Sequence, residues 1–206
     1  MASRRAGTQL WEELGGSING NWSDGRVPPT ATQLGQIESP PLAELIRDIN
    51  KFSNNVMARQ LYLSLGEGSQ SSSATAVQGW LNQKSLRFPE LVLDNGSGLS
   101  RSERLSAQSL AALLNSAWQS PFMPEFIASL PITGVDGTMR KRLRDNPSLG
   151  QGHLKTGTLE GVKTIAGYVR DRKGRWQIVV FLINHPNAAA GQAAQDELMG
   201  WLNTTP

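Results

Sequence analysis

Cysteine is absent from this 206-residue chain, and histidine occurs only twice. Without thiols, neither a disulfide framework nor a thiolate metal site can form. His153 and His185 are not accompanied by clustered carboxylates, so a histidine-based metal centre is not expected either. The sequence therefore predicts a protein that works without a metal or another cofactor. The cellular compartment stays open, because exported proteins can also lack cysteine.

Long hydrophobic runs are missing as well. The longest apolar run, residues 178 to 183, has the length of a strand, far short of the roughly 20 residues that a membrane span needs. Basic residues at the start of the chain are not followed by an apolar stretch, so they do not form a signal peptide. The net charge of +3 is small, and the basic cluster at residues 140–144 is typical of a solvated helix face. We therefore expect neither a membrane span nor a nucleic-acid partner.

Apolar residues at helical spacing predict several helices. One covers residues 41 to 51 and resumes at Val56 after an interruption at Ser53-Asn54-Asn55; residues 66 to 73 are expected to form a loop. Further helices are predicted around residues 76–81, from Ser106 to Trp118, around residues 126–130 and around residues 194–202. Trp118 and Trp201 lie on the apolar faces of two of these helices and are expected in the core.

Three strand-like runs precede the last helix. The first contains His153 to Thr158, the others cover residues 162 to 171 and 176 to 184, and a turn at residues 172–175 joins them. A shorter strand is predicted at residues 91 to 93. Helices followed by three strands and a helix predict an α/β fold of the α+β type, with an antiparallel sheet flanked by helices.

The stretch Lys155-Thr156-Gly157-Thr158 suits the binding of a carboxylate. Lys155 supplies positive charge, and the hydroxyls of Thr156 and Thr158, at alternate positions, lie on one face of a strand. Gly157 would let a substrate backbone approach closely. On its own the motif is weak, because lysine on an edge strand also protects against aggregation.

Ser53 and Asn55 offer a hydroxyl that can relay a proton and an amide that can bond to a peptide group. Serine and asparagine are, however, expected at any helix start, so this triplet is also weak by itself. The two motifs together form two parts of a known catalytic set for serine acyl transfer. This combination makes a shared cleft the better interpretation.

The chain resembles the low-molecular-mass, class C penicillin-binding proteins, which are serine D-alanyl-D-alanine carboxypeptidases and endopeptidases. Two long stretches carry the resemblance, residues 39–58 and residues 153–158, and weaker matches lie at residues 95–101 and 136–138. The resemblance implies a penicillin-binding, β-lactamase-like transpeptidase fold. It also implies a periplasmic hydrolase of the cell wall that acts on peptidoglycan stem peptides ending in D-Ala-D-Ala and binds β-lactams.

The resemblance implies a role for each candidate residue. Ser53 would relay a proton toward the leaving D-alanine, and Asn55 would hold the peptide amide of the substrate. Lys155 would assist electrostatically. Thr156 and Thr158, with Gly157 between them, would bind the terminal carboxylate, and the Thr158 N–H would be one oxyanion donor.

The family's third motif, a nucleophilic serine three residues before a lysine, does not occur, because no lysine in the chain has a serine at that position. Thr138-Met139-Arg140-Lys141 is the nearest variant, and it falls where the family has a downstream helix. We therefore expect a fragment: residues 1–38 as the end of an inserted region that re-enters the catalytic domain, and residues 39–206 as the C-terminal part of that domain. Such a chain is expected to be inactive alone.

The resemblance also implies two further strands beside the last strand, contributed by the missing part. The last strand would otherwise be a hydrophobic edge. We therefore expect a partner there, either the missing N-terminal half or a second copy of the chain. Two other functions stay open: a non-catalytic module that binds peptidoglycan peptides or assists assembly, and a β-lactamase-like hydrolase on the same fold.

Overall fold

A computed structural model describes residues 8–9, 11–20, 25–33, 36 and 38–204. The chain divides into two compact units, Met1–Ser39 and Pro40–Pro206. In the first unit the described residues include a turn in which the Gly15 and Gly16 N–H groups donate to the carbonyls of Glu12 and Trp11. Part of the predicted 1–38 region lies outside the described residues. All the elements discussed below belong to the second unit.

Helix α1, Leu42–Phe52, and helix α2, Asn55–Ser64, meet at the predicted Ser53–Asn54 corner. Ser53 ends α1 in the left-handed conformation, with φ 54° and ψ 48°. Asn54 begins α2, and its side chain accepts a hydrogen bond from the Met57 N–H. The predicted interruption is therefore confirmed as a sharp turn between two helices.

Helix α3, Gln70–Gln83, begins earlier than predicted, within the expected loop of residues 66 to 73. The reason is a serine N-cap: the Ser69 hydroxyl accepts a hydrogen bond from the Ser72 N–H and starts the helix inside the serine run. The remaining helices are α4, Ala107–Trp118, α5, Met123–Ser129, and α6, Gln192–Thr204. A serine also caps α4, since Ser106 accepts from the Ser109 N–H.

The three predicted strands form one antiparallel sheet with the order β1-β2-β3. They are β1, Gly152–Leu159, β2, Val162–Arg170, and β3, Trp176–Asn184. Strand β2 ends one residue before the prediction because the Asp171 carboxylate accepts the N–H groups of Lys173 and Arg175 and so closes the turn. The strand predicted at residues 91–93 is wrong, since only Val92 pairs, in an isolated bridge with Arg104.

Helices cover both faces of the sheet, and each face has its own apolar core. On one face Ile165, Val169 and Val179 pack with Met139 and with Met199 of α6. On the other face Tyr168 packs with Leu114 of α4 and Met123 of α5. This two-faced packing confirms the predicted antiparallel sheet flanked by helices.

The prediction that Trp201 is buried is wrong, because 57% of this residue is exposed. Trp118, also expected in the core, is 37% exposed, although its ring contacts the border of the core, 5.3 Å from the ring of Tyr168 and 5.7 Å from that of Trp176. In the described part of the chain, no helix combines the length and the apolar character that crossing a membrane requires.

Candidate active site

The α1–α2 corner forms one wall of a cleft. The left-handed backbone at Ser53 turns the chain so that the N–H groups of Ser53 and Asn54 both donate to the Ile49 carbonyl, at 3.1 Å for Asn54. A serine in this conformation costs about 1–2 kcal/mol of strain relative to the right-handed region. Side chains of the corner, including Ser53 and Asn55, line the cleft.

Strand β1 forms the opposite wall. Its first half is covered at the outer edge by residues 131–133: the Leu154 N–H donates to the Pro131 carbonyl at 2.8 Å, and the Thr133 N–H donates to the Gly152 carbonyl at 2.9 Å. Beyond this segment, Lys155 to Thr158 line the cleft. The backbone groups at this end of an edge strand can therefore bond to an extended peptide that enters the cleft.

A hydrogen bond joins the two walls. Lys155 Nζ donates to Ser53 Oγ at 2.9 Å and to the Thr156 carbonyl oxygen at 2.7 Å. The two sequence motifs, which are 102 positions apart, thus meet in direct contact. The two motifs therefore share one cleft and are not two unrelated surface features.

Burial lowers the pKa of the Lys155 amine from its ordinary value, because removal from water disfavours the charged form. Two hydrogen bonds, to a hydroxyl and a carbonyl oxygen, hold the ammonium in place. The site thus presents a positioned positive charge beside the Ser53 hydroxyl. This is the arrangement that stabilises developing negative charge and passes a proton along a hydroxyl.

Asn55 is held from a third element. Its Nδ2 donates to the Ser97 carbonyl oxygen at 2.6 Å. The loop that carries Ser97 is in turn fixed by the Glu103 carboxylate, which accepts the N–H groups of Asn95 and Gly96 at 3.3 and 3.1 Å. The orientation of the Asn55 amide is therefore set by this loop, which belongs to the weaker family match at residues 95–101.

Thr156, Gly157 and Thr158 all line the cleft, and Thr158 is exposed. The Thr156 hydroxyl lies 3.2 Å from that of Thr138. A Cβ atom at Gly157 would lie 2.5 Å from Thr164 Oγ1 of β2. A side chain at position 157 would therefore require the Thr164 hydroxyl of the neighbouring strand to move, a constraint that the sequence did not suggest.

The cleft has a volume of about 380 Å³, and Ile49, Ala58 and Leu99 add apolar surface to its polar lining. A second hollow, lined by Ala74, Thr75, Gln78, Leu91 and Leu93, carries no ionisable side chain. In the described part of the chain, no group of three or more histidine or acidic side chains is arranged to hold a metal ion. Of these two hollows, only the Ser53–Lys155 cleft is lined by an ionisable side chain, Lys155.

His153 lies outside this cleft lining, on the first half of β1. Its Nδ1 lies 3.0 Å from the Ile127 carbonyl oxygen, and its ring packs edge-on against Trp176. Burial lowers the pKa of this imidazole. His153 is thus a satisfied packing residue.

Three side chains near the site were missed by the sequence analysis. Lys51 and Asp136 form a salt bridge of 2.6 Å beneath the Ser53 corner, and Thr138 contacts Thr156. All three belong to stretches that carry the family resemblance, which was the available signal. Lys51 and Asp136 are 85 positions apart, so their ion pair has no local signature in the sequence.

Comparison with known proteins finds a family of D-Ala-D-Ala carboxypeptidases and relatives that carry that name. The profile of the family described as D-Ala-D-Ala carboxypeptidase 3 (S13) matches residues 4–205. The D-alanyl-D-alanine carboxypeptidase of Actinomadura sp. (strain R39) is 31% identical over 194 residues, which cover 89% of this chain and 35% of that protein. The D-alanyl-D-alanine carboxypeptidase DacB of Haemophilus influenzae is 28% identical over 180 residues, 84% of this chain and 38% of that protein.

The solved structures agree in fold. Penicillin binding protein 4 of Haemophilus influenzae, complexed with a novel β-lactam, superposes with a TM-score of 0.80 at 24% identity, over 96% of this chain and 50% of that one. A predatory endopeptidase of Bdellovibrio bacteriovorus, in complex with an immunity protein, gives 0.64 at 19% identity, over 79% and 43%. The chain thus spans little more than a third of the length of the two sequence relatives and half or less of the two structures.

Proposed function

Because the chain belongs to the D-Ala-D-Ala carboxypeptidase 3 (S13) family, we propose that it forms part of a serine D-Ala-D-Ala carboxypeptidase or endopeptidase that acts on peptidoglycan stem peptides and binds penicillin. The observation that carries this proposal is the 2.9 Å contact between Lys155 Nζ and Ser53 Oγ, which joins the two family motifs in one cleft. We propose a periplasmic location for the whole enzyme, because peptidoglycan, the proposed substrate, lies outside the cytoplasm.

In the proposed reaction, the hydroxyl of a serine attacks the carbonyl carbon of the penultimate D-alanine. The bond to the terminal D-alanine breaks, and its nitrogen receives a proton through the Ser53 hydroxyl. Water then hydrolyses the acyl-enzyme. Lys155, next to Ser53, stabilises the negative charge on the hydroxyl oxygens during the transfer, which is the purpose of a positioned ammonium in a partly dry site.

Substrate binding uses the rest of the cleft. The Asn55 amide would hold the peptide group of the substrate, and Thr156 and Thr158 would bind its terminal carboxylate beside the Lys155 charge. The Thr158 N–H would supply one of the two oxyanion donors that acyl transfer requires. Gly157 would keep the strand edge free of a side chain.

We further propose that the nucleophile comes from a Ser-x-x-Lys segment outside these 206 residues, since no such motif occurs within them. The chain alone is then inactive. The β3 edge is where the segment that carries the motif, or a second copy of the chain, would pair. One experiment with two arms tests whether the nucleophile lies outside the chain.

Fluorescent penicillin is added to the 206-residue chain and to a protein extended upstream to include Ser-x-x-Lys. We expect a covalent adduct only on the extended protein. In that protein, Lys155→Ala should slow acylation by about 10²–10³-fold, the cost typical of losing one charge-stabilising group. Ser64→Ala, an exposed serine on α2, is the control that should acylate normally.

An adduct on the 206-residue chain alone would contradict the missing nucleophile and direct attention to Ser53 and Ser97. Binding of a D-Ala-D-Ala peptide without acylation of either protein would favour the non-catalytic module. Rapid release of hydrolysed penicillin would favour the β-lactamase-like hydrolase.

A further inference from the structure

Lys51 is a buried cation two positions before Ser53. Only 5% of this residue is exposed, although it lies in the last turn of α1. Its Nζ donates to Asp136 Oδ2 at 2.6 Å and to the Leu130 carbonyl oxygen at 2.7 Å. A buried ammonium is stable only when it is paired in this way, so the end of α1 is tied to residues 130 and 136.

Asp136 continues this connection toward β1. Its second oxygen, Oδ1, accepts the Ile132 N–H at 2.7 Å. Ile132 forms a bridge with His153, and the neighbouring Pro131 carbonyl accepts the Leu154 N–H. One carboxylate thus connects the last turn of α1 to the segment that is hydrogen-bonded to β1, one residue before Lys155.

Two further contacts of the same segment reach the two walls of the cleft. Gly137 lies against the α1 backbone with φ 51°, and a Cβ there would lie 2.5 Å from the Lys51 carbonyl oxygen. Next to it, Thr138 Oγ1 lies 3.2 Å from Thr156 Oγ1 of β1. Residues 130–138 therefore contact α1 just before Ser53 and β1 on both sides of Lys155.

We propose that the 130–138 segment, through the Lys51–Asp136 pair, holds the Ser53 corner at hydrogen-bonding distance from Lys155, and that Lys51 and Asp136 are positioning residues. The effect on catalysis rests on the proposed function, whereas the effect on geometry does not. The corner needs such support for a physical reason. The backbone at Ser53 is strained, and a displacement of a few tenths of an ångström would break the 2.9 Å hydrogen bond from Lys155 to Ser53.

The test is Asp136→Asn in the complete protein that carries these residues. The amide cannot neutralise Lys51, so the corner should move away from β1 and admit water to Lys155. We expect the pKa of Lys155, measured by NMR titration of its side chain, to rise toward the ordinary value. Loss of a negative charge would, through electrostatics alone, lower the pKa of a lysine, so the sign of the change separates geometry from electrostatics.

Penicillin acylation is the second readout. We expect it to slow by about 10²-fold, the loss associated with a displacement of about 1 Å. The control is Asp196→Asn, which removes a salt bridge of equal length, 2.6 Å to Arg142, at a residue that does not line the cleft. This variant should leave both the Lys155 pKa and the acylation rate unchanged.

Should Asp136→Asn fail to fold, Thr138→Val tests the contact of the same segment with β1, because it removes the Thr138–Thr156 hydrogen bond at an exposed residue without a change in charge. Like Asp136→Asn, this variant should raise the Lys155 pKa and slow acylation. An unchanged or lowered Lys155 pKa in the folded variants would overturn the positioning role. If the unmodified protein is not acylated, the proposed function fails, and the titration still decides the role of the segment.

Discussion

At the scale of the residue, Ser53 combines a strained backbone with a placed hydroxyl. Its φ of 54° is in the left-handed region, which side chains other than glycine adopt at a cost. The hydroxyl accepts a hydrogen bond from Lys155. Strain that persists at a side chain in a cleft is typical of functional positions, where surrounding contacts compensate for it.

We predict that Ser53→Gly is more stable than Ser53→Ala by about 1 kcal/mol, because both lose the hydroxyl but only glycine relieves the left-handed backbone. The free energies of unfolding, measured in urea, test this difference. Ser85 is the matched position, since it is also left-handed, with φ 56°, and does not line the cleft. Ser85→Gly should gain the same amount over Ser85→Ala without a change in acylation of the protein extended to include Ser-x-x-Lys, whereas both Ser53 variants of that protein should lose acylation. Equal stability of the two Ser53 variants would contradict the strain.

The sequence predicted the meeting of Ser53 and Lys155, but only because two weak motifs occurred together in one chain. The Lys51–Asp136 pair was not predicted, since ion pairs between distant residues depend on how α1 packs against the 130–138 segment. The same limit applies to Trp201, whose apolar helix face suggested burial. Long-range packing, rather than local pattern, decides such residues.

At the scale of the element, the α1–α2 corner depends on one side-chain cap. Asn54 Oδ1 accepts the Met57 N–H at 3.0 Å, and Asn55 follows as the first residue of α2. Periodicity predicted both helices and their interruption, since apolar spacing is a local property. It could not predict the start of α3, because each serine in that run is a competent cap, nor reject a strand at residues 91–93, because strands require partners.

We predict that Asn54→Ala lowers the free energy of unfolding by about 1 kcal/mol, the usual cost of a lost N-cap. In the protein extended to include Ser-x-x-Lys it should also slow penicillin acylation, because Asn55 loses its fixed backbone. Asn54→Asp keeps the cap and should retain most of the stability. Ser69→Ala is the matched control: it removes the cap of α3, away from the cleft, and should cost about the same stability with normal acylation. If Ser69→Ala slowed acylation as strongly as Asn54→Ala, the effect would be one of general stability.

At the scale of the whole molecule, β3 has a hydrogen-bonded neighbour on only one side in the described part of the chain. Its apolar residues are explained on both faces, since Val179 packs in one core and Ile178 and Val180 in the other. The backbone N–H and C=O groups along the outer edge of β3 take no part in this packing. An apolar edge strand of nine residues is a template for pairing with another strand.

We therefore predict that the 206-residue chain alone associates as its concentration rises, and that an upstream segment with Ser-x-x-Lys replaces this self-association by a single defined species. Sedimentation velocity over a concentration series measures the association. Hydrogen exchange localises it, because alternate β3 amides point outward and should gain protection in the associated form, while the others are already bonded to β2. A monomer at every concentration, with a cooperative melting transition and fast exchange of the outward amides, would show that the edge tolerates solvent and needs no partner.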